Sequence, residues 1–365
     1  MRSHSSTYRR AKLRRFESFT SVAVCMLVLL AACDLPTEGP QVESRWIVPA
    51  EETRFGVGEL LPGDVTFAPD SSAFLVAFDP VSISRTVEEV CSACVPVDGF
   101  TVPKPPFAAS FGTGITFPSE VTSIELLEGE IEIEAFNGSN FDPIRPAAAA
   151  TGTITITITD DADGDVLGTL LVDGTETAFD AGSTLTRTIE LVPGTVNGSL
   201  AVTVEMESPL GDAVTIDITD LFEVDATPSN VRVGIVTIDV AGRSVDVDPV
   251  TLDLEDVDAD ITDRLVEGAF VLEVINPFGI GADFDLSISG PTIASIEKSV
   301  AIGSAATSTA RIDFTLAELR SFLGEPGVVL EGGAVIDAGA GAVSVSPGQE
   351  LVLLARLDLT ILIGG

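Results

Sequence analysis

An all-β fold, tandem β-sandwich units behind an N-terminal strand-rich segment with very little helix, is what this sequence predicts. Three observations lead there. Thr151 to Thr159 (TGTITITIT) alternates strictly, with Ile154, Ile156 and Ile158 on one face and threonines on the other, as a half-buried strand requires. The same grammar of alternating run, turn and alternating run recurs at 231–254, and the closing stretch Leu351 to Ile363 keeps its apolar residues in one phase. Residues 128–137 (EGEIEIEAFN) also match residues 267–276 (EGAFVLEVIN) in glycine, apolar phase, second glutamate and asparagine, the mark of a repeated unit.

In chain order, the first element is a leader. Arg2, Arg9, Arg10, Lys12, Arg14 and Arg15 precede the apolar run Ser21 to Ala32, a charged region followed by a hydrophobic one. That run is 12 residues long, short of the roughly 20 that a helix needs to cross a bilayer. It closes on Leu30-Ala31-Ala32-Cys33, which resembles the lipobox of bacterial lipoproteins. The resemblance implies removal of residues 1–32 and diacylglycerol and acyl chains on Cys33. Two or three chains hold a protein stably, since each buried methylene contributes about 0.8 kcal/mol. A membrane partner and a place in the cell envelope, on the inner or outer membrane with the body outside the cytoplasm, follow from the same resemblance. Residues 33–45, polar with two prolines, read as a tether.

The segment 46–116 reads as a separate strand-rich piece. It holds Cys91-Ser92-Ala93-Cys94, a proline cluster at 102–106 and strand-like Ser72 to Phe78. In an exported protein the cysteine pair is expected as a local disulfide. A redox-active pair would instead sit at a helix N-terminus, and Val87 to Val97 reads as strand and turn.

Two sandwich repeats are expected at 117–246 and 247–365. The first contains the hairpin Thr151–Thr159 to Val166–Val172, turned by Asp160 to Asp165, and a second run turned at 241–244. The second contains the single clear helical stretch, Thr315 to Leu323. Offsets of 139 at the first match and 121 between Gly182-Ser183 and Gly303-Ser304 place an insertion of 18 residues in the first copy, about one hairpin. Ile131, Ile133, Phe270 and Leu272 should then face the cores, with Glu132 and Val271 on the opposite faces.

The order of the second unit carries a further resemblance. A strand at Val250–Leu254, a strand ending at Ile275, then Asn276-Pro277-Phe278-Gly279-Ile280, a strand at Phe284–Ile288 and the Gly303-Ser304 turn are similar to the late-embryogenesis-abundant type 2, or water-stress and hypersensitive-response, β-sandwich, an immunoglobulin-like architecture. It covers about a third of the chain. The first unit departs from it, since Gly138 stands after Asn137. That resemblance implies a non-enzymatic, membrane-associated protein.

Composition excludes several functions. The whole chain has 19 basic and 56 acidic residues. Removing residues 1–32 leaves 13 basic and 55 acidic, a net charge of −42, which repels phosphate backbones and makes nucleic acid an improbable partner. The single histidine, His4, and single tyrosine, Tyr8, both lie in the leader. The mature chain therefore lacks the general base of Ser-His-Asp and Cys-His catalysis and the commoner zinc ligand. Asp161, Asp163 and Asp165 have the oxygen density calcium prefers, but Val166 and Val172 stand where an EF-hand needs glycine and a bidentate acid. The acidic run Asp253 to Asp260 is equally unpatterned. Both are expected as solvated tips, with calcium as the alternative. Two functions remain: a lipid-anchored, non-catalytic envelope module for binding or structural support of an unknown envelope partner, or a carrier of a lipid or other apolar ligand between its sheets. No cofactor is expected beyond the lipid on Cys33.

Overall fold

The computed structural model describes residues 41–364, with 253, 255, 256, 258 and 338 excepted. The leader, Cys33 and most of the tether lie outside the described residues, as do Asp253, Glu255, Asp256 and Asp258 of the 253–260 run. The strands are β1 (Val42–Gly56), β2 (Val65–Phe67), β3 (Phe74–Val76), β4 (Val81–Thr86), β5 (Thr101–Pro103), β6 (Phe107–Thr116), β7 (Val121–Asn137), β8 (Thr153–Asp160), β9 (Val166–Asp173), β10 (Thr184–Leu191) and β11 (Gly194–Asn197). They continue as β12 (Ser199–Ser208), β13 (Ala213–Thr215), β14 (Leu221–Asp239), β15 (Ser244–Leu252), β16 (Leu265–Ile275), β17 (Ala282–Gly290), β18 (Ile293–Ile302), β19 (Thr307–Phe314), β20 (Val328–Ile336), β21 (Ala342–Val345) and β22 (Glu350–Ile363). Short helices α1 (Val87–Val90), α2 (Ala259–Asp263) and α3 (Leu316–Phe322) and two 3-10 turns, Val57–Leu60 and Val95–Val97, complete the set. The fold is all-β, as the alternation predicts.

Every pairing is antiparallel, and the sheets stack as two sandwiches. In the first, one sheet runs β4-β14-β7-β10 and the other β6-β12-β8-β9. In the second, the orders are β1-β22-β16-β19 and β15-β20-β17-β18. These orders correspond strand for strand. The alternation explains the layering: Ile154, Ile156 and Ile158 of β8 are buried while its threonines are not, so each sheet has one face to hide. Each sandwich has its own core, Ile131 and Ile133 lying in the first and Phe270 and Leu272 in the second.

The register locates the length difference between the copies. Phe136 pairs with Thr184, and Ile275 with Thr307. The intervening hairpin occupies 21 residues in each copy, 153–173 and 282–302. The surplus sits in loops instead. Fifteen residues separate Asn137 from β8, against five between Asn276 and β17, and ten precede β10 where four precede β19. The expected extra hairpin is therefore replaced by two enlarged loops, because the strand count is already satisfied.

The chain path departs from simple tandem order. β1 pairs along its length with β22, Val42 opposite Ile363 and Gly56 opposite Glu350, so the predicted tether stops short of Val42 and residues 42–56 belong to the second sandwich. Residues 57–116 are not a separate piece either: β3 and β4 pair with β14, and β6 with β12. The whole first sandwich is inserted between the first and second strands of the second one. The turn 241–244 is not a hairpin, since β14 and β15 enter different sheets. It is the return crossing, held by the Gly242 N–H to Ile336 O and the Ile336 N–H to Arg243 O. β21 crosses back to pair with 236–239 of β14. A reading of neighbours in sequence could not find partners some three hundred residues apart.

Ile131, Ile133, Phe270 and Leu272 are buried and Glu132 is exposed, but Val271, on the outer face, is buried too. Its cross-strand neighbours are Arg311 and Arg356, whose long stems shield it. Ile133→Ala and Leu272→Ala should each cost about 2 to 5 kcal/mol in denaturant unfolding, and Glu132→Ala under about 0.5 kcal/mol.

Candidate functional site

Buried polar groups are expensive unless bonded, so those the fold keeps mark where its chemistry is concentrated. Asn137 and Asn276 are the first such pair, both within 1% of full burial. Each ends an inner strand, and each side chain closes the next turn in the same way. Asn137 Oδ1 accepts from Ser139 N–H at 3.0 Å and its Nδ2 donates to Phe141 O at 2.9 Å. Asn276 Oδ1 accepts from Phe278 N–H at 3.1 Å and its Nδ2 donates to Ile280 O at 2.6 Å. Asparagine is required because it alone offers both an acceptor and two donors on so short a stem. The turn does not need the proline of the second copy. Gly138 follows Asn137, and a Cβ there would meet Leu221 O at 2.8 Å.

Asn276 opens onto an apolar cavity of about 70 Å³ at the junction of the sandwiches, lined among others by Phe278, Ile280, Phe284, Ile336 and Leu353. A volume of that size holds a group of about five or six non-hydrogen atoms, whereas a lipid or drug-sized ligand needs several hundred Å³. The wider hollows beside Glu128 and Arg232, and beside Thr153 and Glu205, are open and lined by charged and hydroxyl groups as well as apolar ones.

Lys104 is the second buried group, and nothing in its sequence neighbourhood signals it. Its ammonium donates to Ser208 Oγ, which in turn donates to Pro143 O. It lies over the rings of Phe107, at 4.7 Å, and Phe141, at 5.5 Å. Among the described residues no carboxylate forms an ion pair with it. Burial pushes its pKa down to about 8 from the ordinary 10.5, against a smaller upward pull from Asp142.

The sequence-derived candidates fall in two other places. Cys91 and Cys94 form a disulfide with both sulfurs buried and Cα atoms 5.3 Å apart. A short helix does precede them, contrary to the strand-and-turn reading: α1 is opened by a capping box between Thr86 and Glu89. Cys91 caps its C-terminus, donating to Val87 O. The dipole of α1 opposes a thiolate on Cys91, while Cys94 stands at the N-cap of the 3-10 turn Val95–Val97 and makes no side-chain capping bond.

Asp161, Asp163 and Asp165 sit at the exposed tip of the β8–β9 hairpin. Asp161 accepts from Ser199 Oγ at 2.9 Å, and Asp163 accepts from Asp165 N–H at 3.1 Å. Among the described residues no three acidic, cysteine or histidine side chains converge as metal ligands. The consequential acid is Asp160, one residue earlier and fully buried. It accepts from Ala162 N–H at 3.0 Å and Asn197 N–H at 3.2 Å, tying the hairpin to β11. Its place in strict phase with Ile154, Ile156 and Ile158 was the available signal.

No family model matches the chain, and no curated protein matches it. Among solved structures, a protein of Parabacteroides distasonis, provisionally described as secreted, aligns over 87% of this chain and 99% of its own at 10% identity and a TM-score of 0.30. The VP2 subviral particle of infectious bursal disease virus aligns over 95% of this chain and 87% of its own, at 11% identity and a TM-score of 0.19. Matches this distant carry no argument about role.

Two outcomes are expected. Replacing both Cys91 and Cys94 with serine should lower thermal stability modestly, by no more than about 2 kcal/mol for so small a loop; thiol trapping in cells should find the native pair fully oxidised. For Lys104, the unfolded chain binds the proton below about 10.5 and the folded chain only below about 8. The burial cost is thus fully present below pH 8 and is relieved as pH rises through that window. Lys104→Met should therefore be more stable than the native protein at pH 7, by up to about 3 kcal/mol, with the difference shrinking between pH 8 and 10.5 in denaturant titrations.

Proposed function

We propose that this is a lipid-anchored, non-catalytic cell-envelope protein whose two β-sandwiches act as a binding or structural body outside the cytoplasm. The observation that carries the reading is Leu30-Ala31-Ala32-Cys33 behind an arginine-rich leader. Eight residues, 34–41, separate Cys33 from the first strand at Val42. At roughly 3.3 Å per extended residue they keep the second sandwich within about 30 Å of the lipid.

Other features support it. A buried disulfide suits an oxidising compartment. No helix among the described residues is long and apolar enough to cross a membrane. Absence of histidine after residue 4 removes the commonest general base. Similarity of the second sandwich to the late-embryogenesis-abundant type 2 family points the same way, and the Asn276 turn is its local basis. The carrier alternative is disfavoured in its lipid form, because the 70 Å³ cavity cannot enclose an acyl chain.

Cys33→Ala tests the anchor. The variant should stay uncleaved by the lipoprotein peptidase and take up no radioactive palmitate; normal labelling of the variant would overturn the reading.

A further inference from the structure

The duplicated asparagines differ in one respect that a ligand would explain. In the first sandwich both amide hydrogens of Asn137 are used: Nδ2 donates to Phe141 O and also to Phe179 O, at 2.7 Å. Phe179 is itself buried in the core, its N–H held by Asp142 Oδ2 at 2.8 Å. It is carried by the ten-residue loop between β9 and β10. In the second sandwich the matching loop, 303–306, has only four residues and no aromatic one. Among the described residues Asn276 Nδ2 donates to Ile280 O alone, and its other hydrogen finds no acceptor there. An amide 1% exposed with an unspent donor, against a lining otherwise almost wholly apolar, is a costly arrangement to leave open.

We propose that this cavity receives in trans what the shortened loop does not supply: an aromatic side chain from a peptide segment of a partner protein, with a backbone carbonyl accepting from Asn276 Nδ2. Its volume suits the ring. Phe278, Ile280, Phe284, Ile336 and Leu353 provide the apolar walls, and the asparagine provides the single oriented donor that selects a carbonyl beside the ring. The first sandwich, where Phe179 meets these requirements from within the chain, is the internal template. The inference deepens the binding-module reading and rests on it, but it does not depend on the lipid.

The complete mature chain, residues 33–365 with Cys33→Ala, labelled with nitrogen-15, is titrated with N-acetyl-phenylalanine methylamide. The Asn276 side-chain amide resonance should move, half-saturating near about 1 mM as suits a fragment of this size. The Asn137 amide should stay still as the internal control. N-acetyl-alanine methylamide should leave both unmoved, and toluene should shift the methyls of Ile336 and Leu353 without the amide response. Ala334→Leu, or Ala282→Leu should the first variant fail to fold, fills the cavity and should weaken the response about tenfold or more. No movement of Asn276 with the phenylalanine probe would overturn the proposal. So would an equal response to the alanine probe or in the filled variants, or an equal movement of both asparagines. Palmitate labelling of the native protein is read separately, so failure here is distinguishable from failure of the anchor.

Discussion

The pairing of β1 with β22 is the constraint on which the rest of the architecture depends. The earliest described strand and the last one form adjacent rungs of a single sheet, and everything between must leave and return within that closure. Val48 and Phe55 of β1 pack on the second core, so the pairing is hydrophobic as well as hydrogen-bonded. It is also electrostatic. Asp358 of β22, 5% exposed, is paired with Arg45 of β1 and has Arg356 at 3.8 Å. In a body with so few cations, Arg45 is committed to a buried acid at this seam, consistent with the high cost of leaving such a charge unpaired, while Arg356 hydrogen-bonds to Glu273.

The insertion brings two chain crossings to one place. Gly56, where the chain leaves the second sandwich, and Val245, where it returns, both line the junction cavity. Arg243 at the return crossing donates to Leu60 O and pairs with Glu120, clasping the outgoing chain and the first sandwich. β21 adds a backbone ladder between the two bodies. The cavity is thus framed by the elements that join the sandwiches, which distinguishes it from a packing defect in the middle of either core.

Local features were legible in the sequence, and long-range ones were not. The isoleucines of β8 announced a strand because its burial alternates within a single hairpin, and the stretch Thr315 to Leu323 announced α3, whose capping box between Thr315 and Glu318 spans only three residues. The matching asparagines at 137 and 276 were visible because their partners lie two and four residues on. The Cys91–Cys94 bond was visible for the same reason. β1 was misplaced because nothing within its own residues names Glu350–Ile363 as its partner. Lys104 was invisible for another reason: its burial is created by Ser208, Phe107 and Phe141, brought from three separate elements. The loop before β19 is six residues shorter than its counterpart before β10, a difference that means nothing until the two copies are aligned in space.

The order of strands also sets a schedule. In synthesis β1 precedes its partner β22 by some three hundred residues. Until β22 is made, an alternating, partly apolar strand waits with open edges, a state prone to wrong pairing. The first sandwich can fold entirely within that interval, and once folded it replaces a loop of nearly two hundred residues by a rigid body whose ends emerge together. The inserted domain thereby shortens the effective loop that must close before β1 meets the strand that completes its sheet.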